Sequence, residues 1–178
     1  MTLEGSAHDY AKRAMTIANM LQASDAVSTL LRGAQLDTIR IFSLVLNLGF
    51  VHGNRIGLPN VIWVSLSGAL SIDQKSNPKS TPSGRDDFFE VRGNAIRQLY
   101  SLIGGAVSGA TVAASGRLEI VLGEHLLQVG PSESDSDLEE VWAVMSDSPD
   151  VSVDHSWYVM LDDSGRLSTR TPSTFIAR

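Results

Sequence analysis

Residues 31–36 read LRGAQL and residues 102–107 read LIGGAV, two short stretches that share a pattern of leucine, glycine and apolar residues. In each stretch a helical apolar pattern reaches a glycine, and apolar residues then recur at nearly alternate positions. These positions are Leu36, Ile39 and Ile41 after the first glycine, and Val107, Ala110 and Val112 after the second. We therefore predict a helix-to-strand junction that occurs twice. A duplication is one explanation, and chance agreement of common apolar residues is the other.

Strands are predicted along most of the remaining chain. A second strand follows each junction, with Leu44, Leu46 and Leu48 in the first half matching Leu118, Ile120 and Leu122 in the second. Further strands are predicted at 61–66, 69–73, 125–129, 140–146, 151–153, 156–161 and 166–169. Tight turns at Ser67-Gly68, Ser115-Gly116 and Gly123-Glu124 separate neighbouring strands. Short strands joined by such turns indicate a mostly antiparallel β fold.

Helices accompany these strands in two regions. Near the N-terminus, apolar residues at spacings of three and four predict an amphipathic helix over 7–22, and these residues are Tyr10, Ala14, Ile17, Ala18 and Leu21. Ser24 or Asp25 is a suitable cap for a second short helix that ends at Gly33. Asn94 caps a mid-chain helix that runs into Gly104-Gly105. The predicted class is therefore α+β, mostly antiparallel β, with an N-terminal helix, one mid-chain helix and two pseudo-repeated halves as a variant.

A polar stretch divides the chain near its middle. Residues 74–90 read QKSNPKSTPSGRDDFFE, and this proline- and glycine-containing composition is typical of a connector. At this length one domain is the default. We expect a single domain over 1–178, with sub-halves 24–73 and 91–170 joined by the connector 74–90.

Each of the three tryptophans lies in a predicted strand that a polar turn follows. The simplest interpretation is that Trp63, Trp142 and Trp157 are buried on the core faces of three hairpins, and we expect the core to pack around them. The alternative is that one tryptophan lies at a partner interface, because tryptophan is enriched at binding hot spots.

Composition excludes several classes of function. The chain has 178 residues, a net charge of -6 and no cysteine, so it has no disulfide framework, thiolate metal site or cysteine nucleophile. The negative charge argues against nucleic-acid or anionic-membrane binding, which needs clustered Lys and Arg. Glu4 and Asp9 lie where a secretory signal would be basic, and the apolar stretches are shorter than the roughly 20 residues of a membrane span. We expect a cytoplasmic protein.

Histidines and glycines give no catalytic motif. The four histidines are widely separated and have no metal-ligand spacing. Asp154, His155 and Ser156 are consecutive on a predicted strand, so they point alternately to opposite faces and cannot form a relay. Gly104-Gly105 ends a helix, whereas a phosphate-binding loop opens one. We therefore expect no catalytic residue, no metal site and no cofactor.

Acidic residues dominate the second half of the chain. Between Arg117 and Arg166 there are twelve acidic residues and no Lys or Arg, whereas residues 1–90 hold eight acids and eight bases. A negative field of this kind steers a basic partner and speeds its association. A solvated face that keeps the protein soluble is an alternative. A calcium site in 133–139 is a third, although this segment lacks the central glycine of an EF-hand loop.

Four motifs follow one another between residues 90 and 161: LIGGAV at 102–107, RLEIVL at 117–122, LLQV at 126–129 and EEVW at 139–142. The run that contains them resembles small bacterial immunity proteins of polymorphic-toxin and contact-dependent growth inhibition loci. It implies a protein that binds the C-terminal domain of a cognate toxin and occludes its active or substrate-binding site. Toxin nucleases are often basic because their substrate is polyanionic, which matches the acidic region. The N-terminal helix and the connector lie outside the motifs.

We therefore predict a non-catalytic binding protein with an acidic partner surface. The candidate partner-binding residues are Glu133, Asp135, Asp137, Glu139, Glu140, Trp142, Asp162 and Asp163. An oligomeric structural or regulatory subunit is one alternative. A small-molecule-binding β domain or cryptic enzyme is another, and a deep apolar pocket with converging carboxylates would favour it.

Overall fold

A computed structural model describes residues 4–43, 45–53, 57–74, 88–131, 139–146 and 156–176, without the side chains of 4–16, 74 and 88–91. These ranges contain two helices, α1 (Glu4–Leu31) and α2 (Phe88–Ser101). They also contain ten strands: β1 (Gln35–Ile41), β2 (Leu46–Val51), β3 (Val61–Leu66), β4 (Ala69–Gln74), β5 (Val107–Val112), β6 (Leu118–Leu122), β7 (His125–Gly130), β8 (Trp142–Ser146), β9 (Tyr158–Leu161) and β10 (Leu167–Arg170).

The strands form two antiparallel sheets. The larger sheet has the order β1-β2-β3-β8-β9-β10, and the smaller sheet has the order β4-β7-β6-β5. Their apolar inner faces form one hydrophobic core with the second half of α1 and part of α2. This arrangement confirms the predicted class, α+β and mostly antiparallel, with an N-terminal and a mid-chain helix. The predicted strand at 151–153 lies outside the described residues.

The two predicted junctions have the same geometry. Gly33 and Gly104 both adopt left-handed backbone conformations, with φ of 83° and 84°. In β1 a register shift separates Leu36 from Thr38, and in β5 a shift separates Val107 from Gly109. The two junctions also bind each other, because the N–H of Gly33 donates to the oxygen of Val107 and the N–H of Gly104 to that of Leu36. One part of the predicted match is wrong: Leu46, which pairs with Ile41, is the counterpart of Leu118, which pairs with Val112.

The fourth strand of each half lies in the sheet of the other half. After β3 the chain turns at Ser67-Gly68, and β4 then pairs with β7 in the smaller sheet. After β7, the chain returns to pair β8 with β3 in the larger sheet. The two halves are therefore interleaved by an exchange of strands. The division into sub-halves joined by a connector stays a prediction, and residues 75–87 of that connector lie outside the described residues.

The first helical region is one helix, so the predicted break at residue 24 is wrong. The Ser24 hydroxyl forms a 2.6 Å hydrogen bond with the Thr111 hydroxyl on β5, and it does not cap a second helix. The predicted apolar face is also displaced, because Ile17 and Leu21 are 53% and 61% exposed. The buried side of α1 carries Ala23, Ala26, Val27, Leu30 and Leu31. Neither helix in the described ranges combines the length and apolar composition that crossing a membrane requires.

The tryptophans do not share one environment. Trp142 and Trp157 are buried in the core, and Phe175 packs edge-on against Trp157 with ring centroids 4.8 Å apart. Trp63 instead lies on the outer face of the larger sheet, because Ile62 and Val64 occupy the inward positions of β3. The Arg40 guanidinium lies 4.0 Å from the centre of the Trp63 ring. The expectation of a core around all three tryptophans is therefore wrong for Trp63.

Candidate interaction surface at the acidic end of the larger sheet

The pairing of β8 with β9 brings two acidic segments to the same end of the larger sheet. Trp142, the first residue of β8, lies opposite Leu161, the last residue of β9. The N–H of Val141 extends this pairing by donating to the oxygen of Leu161 at 2.9 Å. The residues just before β8 and just after β9 therefore leave the sheet together. We call Glu139, Glu140, Asp162 and Asp163 the acidic end.

Asp162 holds the turn between β9 and β10. Its carboxylate accepts hydrogen bonds from the Ser164 hydroxyl at 2.6 Å and from the N–H of Arg166 at 2.7 Å. The Arg166 side chain adds an ion pair at 3.0 Å. The Ser164 hydrogen bond is the largest of the interactions that keep the pKa of Asp162 below its usual value, and those from Arg166 act in the same direction. Asp162 is therefore buried and its charge is paired with Arg166, whereas the next residue, Asp163, is exposed.

Glu139 is exposed, whereas Glu140 is half-buried. The charge of Glu140 affects Tyr158, which lies on the outer face of the larger sheet. Burial is the main cause that raises the pKa of the Tyr158 hydroxyl, and the negative charge of Glu140 raises it further. Arg170 acts in the opposite direction. The Tyr158 hydroxyl donates to the sulfur of Met160 at 2.9 Å. The acidic end therefore continues into a face that presents a tyrosine, a methionine and an arginine.

Trp142 lies beneath this surface and not on it. The side chain is fully buried, and its indole N–H donates to the carbonyl oxygen of Gly116 at 2.9 Å. This bond ties the start of β8 to the turn between β5 and β6. In this conformation the Trp142 side chain presents no surface to a partner, and its predicted partner-binding role stays a prediction.

Three of the candidate residues, Glu133, Asp135 and Asp137, lie outside the described residues, and their role stays a prediction. The structure brings together Glu139, Glu140 and Asp163, and adds Tyr158 and Arg170, which the sequence analysis did not select. One signal was present for Tyr158. In β9 the residues Val159 and Leu161 are inward, so alternation places Tyr158 on the opposite face.

A cleft of about 260 Å³ adjoins the acidic end, between α1, the β5–β6 turn and the β9–β10 turn. Met20, Leu161 and Leu167 supply apolar walls, and Arg166 is the ionisable residue of the lining. None of the described residues that line the cleft carries a carboxylate. Among the described residues, no three histidine, aspartate or glutamate side chains are grouped so as to hold a metal ion.

Comparison with known proteins gives no relative: no family model matches the chain, and neither a curated protein nor a solved structure matches it.

Proposed function

We propose that this protein is a non-catalytic binding protein of the immunity type, which binds the basic domain of a cognate toxin and occludes its active or substrate-binding site. The observation that carries the proposal is the convergence of Glu139, Glu140 and Asp163 at one end of the larger sheet. Glu119 and Asp162 form ion pairs with Arg117 and Arg166, whereas none of these three carboxylates is paired with a described Lys or Arg.

Electrostatics supports a basic partner. Exposed carboxylates that lie close together repel one another, and an approaching cluster of Lys and Arg relieves this repulsion. A toxin that cleaves nucleic acid carries such a cluster at its substrate site, because it must bind phosphates. Charges at the rim of an interface mainly raise the association rate, which suits an inhibitor that must act before the toxin reaches its substrate.

Backbone geometry supports a rigid acidic surface. The bond from the N–H of Val141 to the oxygen of Leu161 holds the chain next to Glu140, and the bonds of Asp162 to Ser164 and Arg166 hold the turn that carries Asp163. A surface that is already ordered loses little conformational entropy on binding. In the proposed role the protein acts in the cytoplasm, with the toxin domain as its partner and without nucleic acid or membrane.

The test uses the toxin C-terminal domain encoded beside this protein. Coexpression with the unaltered protein should restore growth to cells that the toxin domain otherwise arrests, and calorimetry should give a one-to-one complex. The double variant Glu139→Lys/Asp163→Lys should lower the association rate constant about tenfold or more at low ionic strength, and it should remove most of the salt dependence.

The matched control is Asp37→Lys/Glu124→Lys, which makes the same change in net charge. Asp37 and Glu124 are also exposed, but they lie on β1 and in the β6–β7 turn, away from the acidic end. This control should keep most of the association rate. Equal losses in the two double variants would mean that net charge matters and the acidic end does not. Failure of the unaltered protein to bind or protect would reject the proposed function.

A further inference from the structure

The exchange of strands makes β4 the counterpart of β8. In the larger sheet, Leu66 on β3 pairs with Trp142 on β8, and Val64 pairs with Val144. In the smaller sheet, Val129 on β7 pairs with Leu70 on β4, and Leu127 pairs with Ile72. Both strands are therefore the fourth strand of their sheet and begin opposite the end of the strand with which they pair.

β8 and β4 differ on the side that faces away from the strand with which each of them pairs, β3 for β8 and β7 for β4. β8 pairs with β9 on that side, and its inward residues Trp142 and Val144 are both 0% exposed. β4 pairs only with β7 among the described residues, and its inward residues Leu70 and Ile72 are only half-buried. The same position is thus filled by β9 in the larger sheet, whereas no described strand fills it in the smaller sheet.

The other edge strands, β1, β5 and β10, have features that hinder pairing with a strand of another chain. β1 and β5 each contain a register shift, and hydrogen bonds between the two junctions link them. β10 has four residues and packs against α1. β4 is in continuous register with β7 over six residues, and it contains neither proline nor lysine. Shifts, short strands, lysine and proline are common means of preventing edge-to-edge pairing, and β4 has none of these four; it carries one charged residue, Asp73, and it contacts α2.

We propose that β4 pairs antiparallel with β4 of a second copy of this chain, which joins two smaller sheets into one of eight strands. A pairing centred on Ser71 places Leu70 opposite Ile72 of the copy, so that the half-buried inward residues cover each other. Asp73 then lies opposite Ala69 of the copy, which avoids opposed like charges. β4 of the copy thereby occupies the position beside β4 that β9 occupies beside β8. Both copies use the same strand in this contact, so the assembly has two-fold symmetry and stops at a dimer.

The strand alone is a narrow contact, since stable interfaces bury roughly 800 Å² per partner. Further apolar surface is available at α2, which contacts β4 and carries the exposed Tyr100, and at the exposed Ile103 in the turn that follows this helix. The dimer therefore combines the paired edges with apolar contacts from α2. This inference does not depend on the proposed toxin partner.

Cross-linking through an introduced cysteine tests the pairing directly, because the chain has no cysteine of its own. Ser71→Cys should form a disulfide-linked dimer on mild oxidation. Ser108→Cys is the matched control, since Ser108 is an exposed serine on β5 at a protected edge, and this variant should remain monomeric. Equal cross-linking of the two variants would overturn the proposal.

Charge exchange at the same position gives a second readout. The unaltered protein should show a sedimentation coefficient that rises with concentration towards that of a dimer. Ser71→Lys and Ser71→Glu should each sediment as monomers, because identical charges then face each other, and an equimolar mixture of the two should restore the dimer. A monomeric unaltered protein at all attainable concentrations, or Ser71→Lys that dimerises unchanged, would overturn the proposal.

Discussion

Asp162 and Asp163 are adjacent in the chain, but their carboxylates have different roles. Asp162 is buried and accepts hydrogen bonds from Ser164 and Arg166, whereas Asp163 is exposed. Hydrogen bonds to a charged group contribute about 1.5–3 kcal/mol each. We expect Asp162→Ala to lower the free energy of unfolding by about 1–3 kcal/mol, and Asp163→Ala to change it by less than about 0.5 kcal/mol. Denaturant unfolding of both variants measures this difference.

The difference in the free energy of unfolding between the unaltered protein and Asp162→Ala should also depend on pH. The pKa of Asp162 is lower in the folded protein than its ordinary value of 3.8, so its ionised form stabilises the fold. This contribution is fully present above the unfolded pKa and is lost as the pH falls through the folded pKa. The difference between the unaltered protein and Asp162→Ala should therefore be constant near neutral pH and shrink in acid. A difference that grows in acid would contradict the assignment.

Residue types alone indicated an acidic surface but not which acids face solvent. Burial of Asp162 depends on a turn that Ser164 and Arg166 close, and burial of Trp142 depends on the distant carbonyl of Gly116. The positions of Trp63 and Tyr158, by contrast, do not depend on distant contacts. Their positions on the outer face follow from strand alternation, which is a local property that the sequence contains.

At the scale of elements, Gly68 is where the chain passes from one sheet to the other. A Cβ atom at this position would lie 2.6 Å from Cγ1 of Val141 and 2.7 Å from the carbonyl oxygen of Gly130. The backbone oxygen cannot move away without disturbing β7. We expect Gly68→Ala to cost about 1–3 kcal/mol or more, as overpacking generally does. Thermal unfolding followed by circular dichroism measures the loss.

Gly53→Ala is the matched control, because no atom lies within 4 Å of a Cβ at Gly53 and its φ is not left-handed. This substitution should leave the melting temperature almost unchanged. Similar losses in the two variants would mean that the close approach at Gly68 is absorbed by small shifts, and that the crossing between sheets tolerates a side chain.

The helices and strands were predicted more accurately from the sequence than the pairing between strands. The glycine junctions, the two hairpins of the second half and the mid-chain helix follow from local patterns, and the match of Leu36 with Val107 extends to the register shifts. The exchange of β4 and β8 leaves no local signal, since a strand's pattern shows which face is buried but not which strand pairs with it. The continuous α1 was missed for a similar reason: Ser24 bonds to Thr111, far away in the sequence.

The fold of the whole molecule depends on the exchange of β4 and β8 between the two sheets. The first half contributes β4 to the smaller sheet, and the second half contributes β8, β9 and β10 to the larger sheet, so neither half contains all the partners that its strands need. β8 carries the fully buried inward residues Trp142 and Val144 and lies between β3 and β9. β3 belongs to the first half and β9 to the second. Stability should therefore be shared between the halves, and not divided into two independent transitions.

Dividing the chain after residue 80 tests this directly. Fragment 1–80 would contain β4 without β7, and fragment 81–178 would contain β8 without β3. We expect neither fragment alone to unfold cooperatively, and an equimolar mixture to recover the circular dichroism spectrum of the intact chain as a one-to-one complex. Gly68→Ala in the first fragment should weaken this complex, whereas Gly53→Ala should not. A fragment that melts cooperatively by itself would show that one sheet folds without the strand it receives, and the exchange would then join two independently stable units.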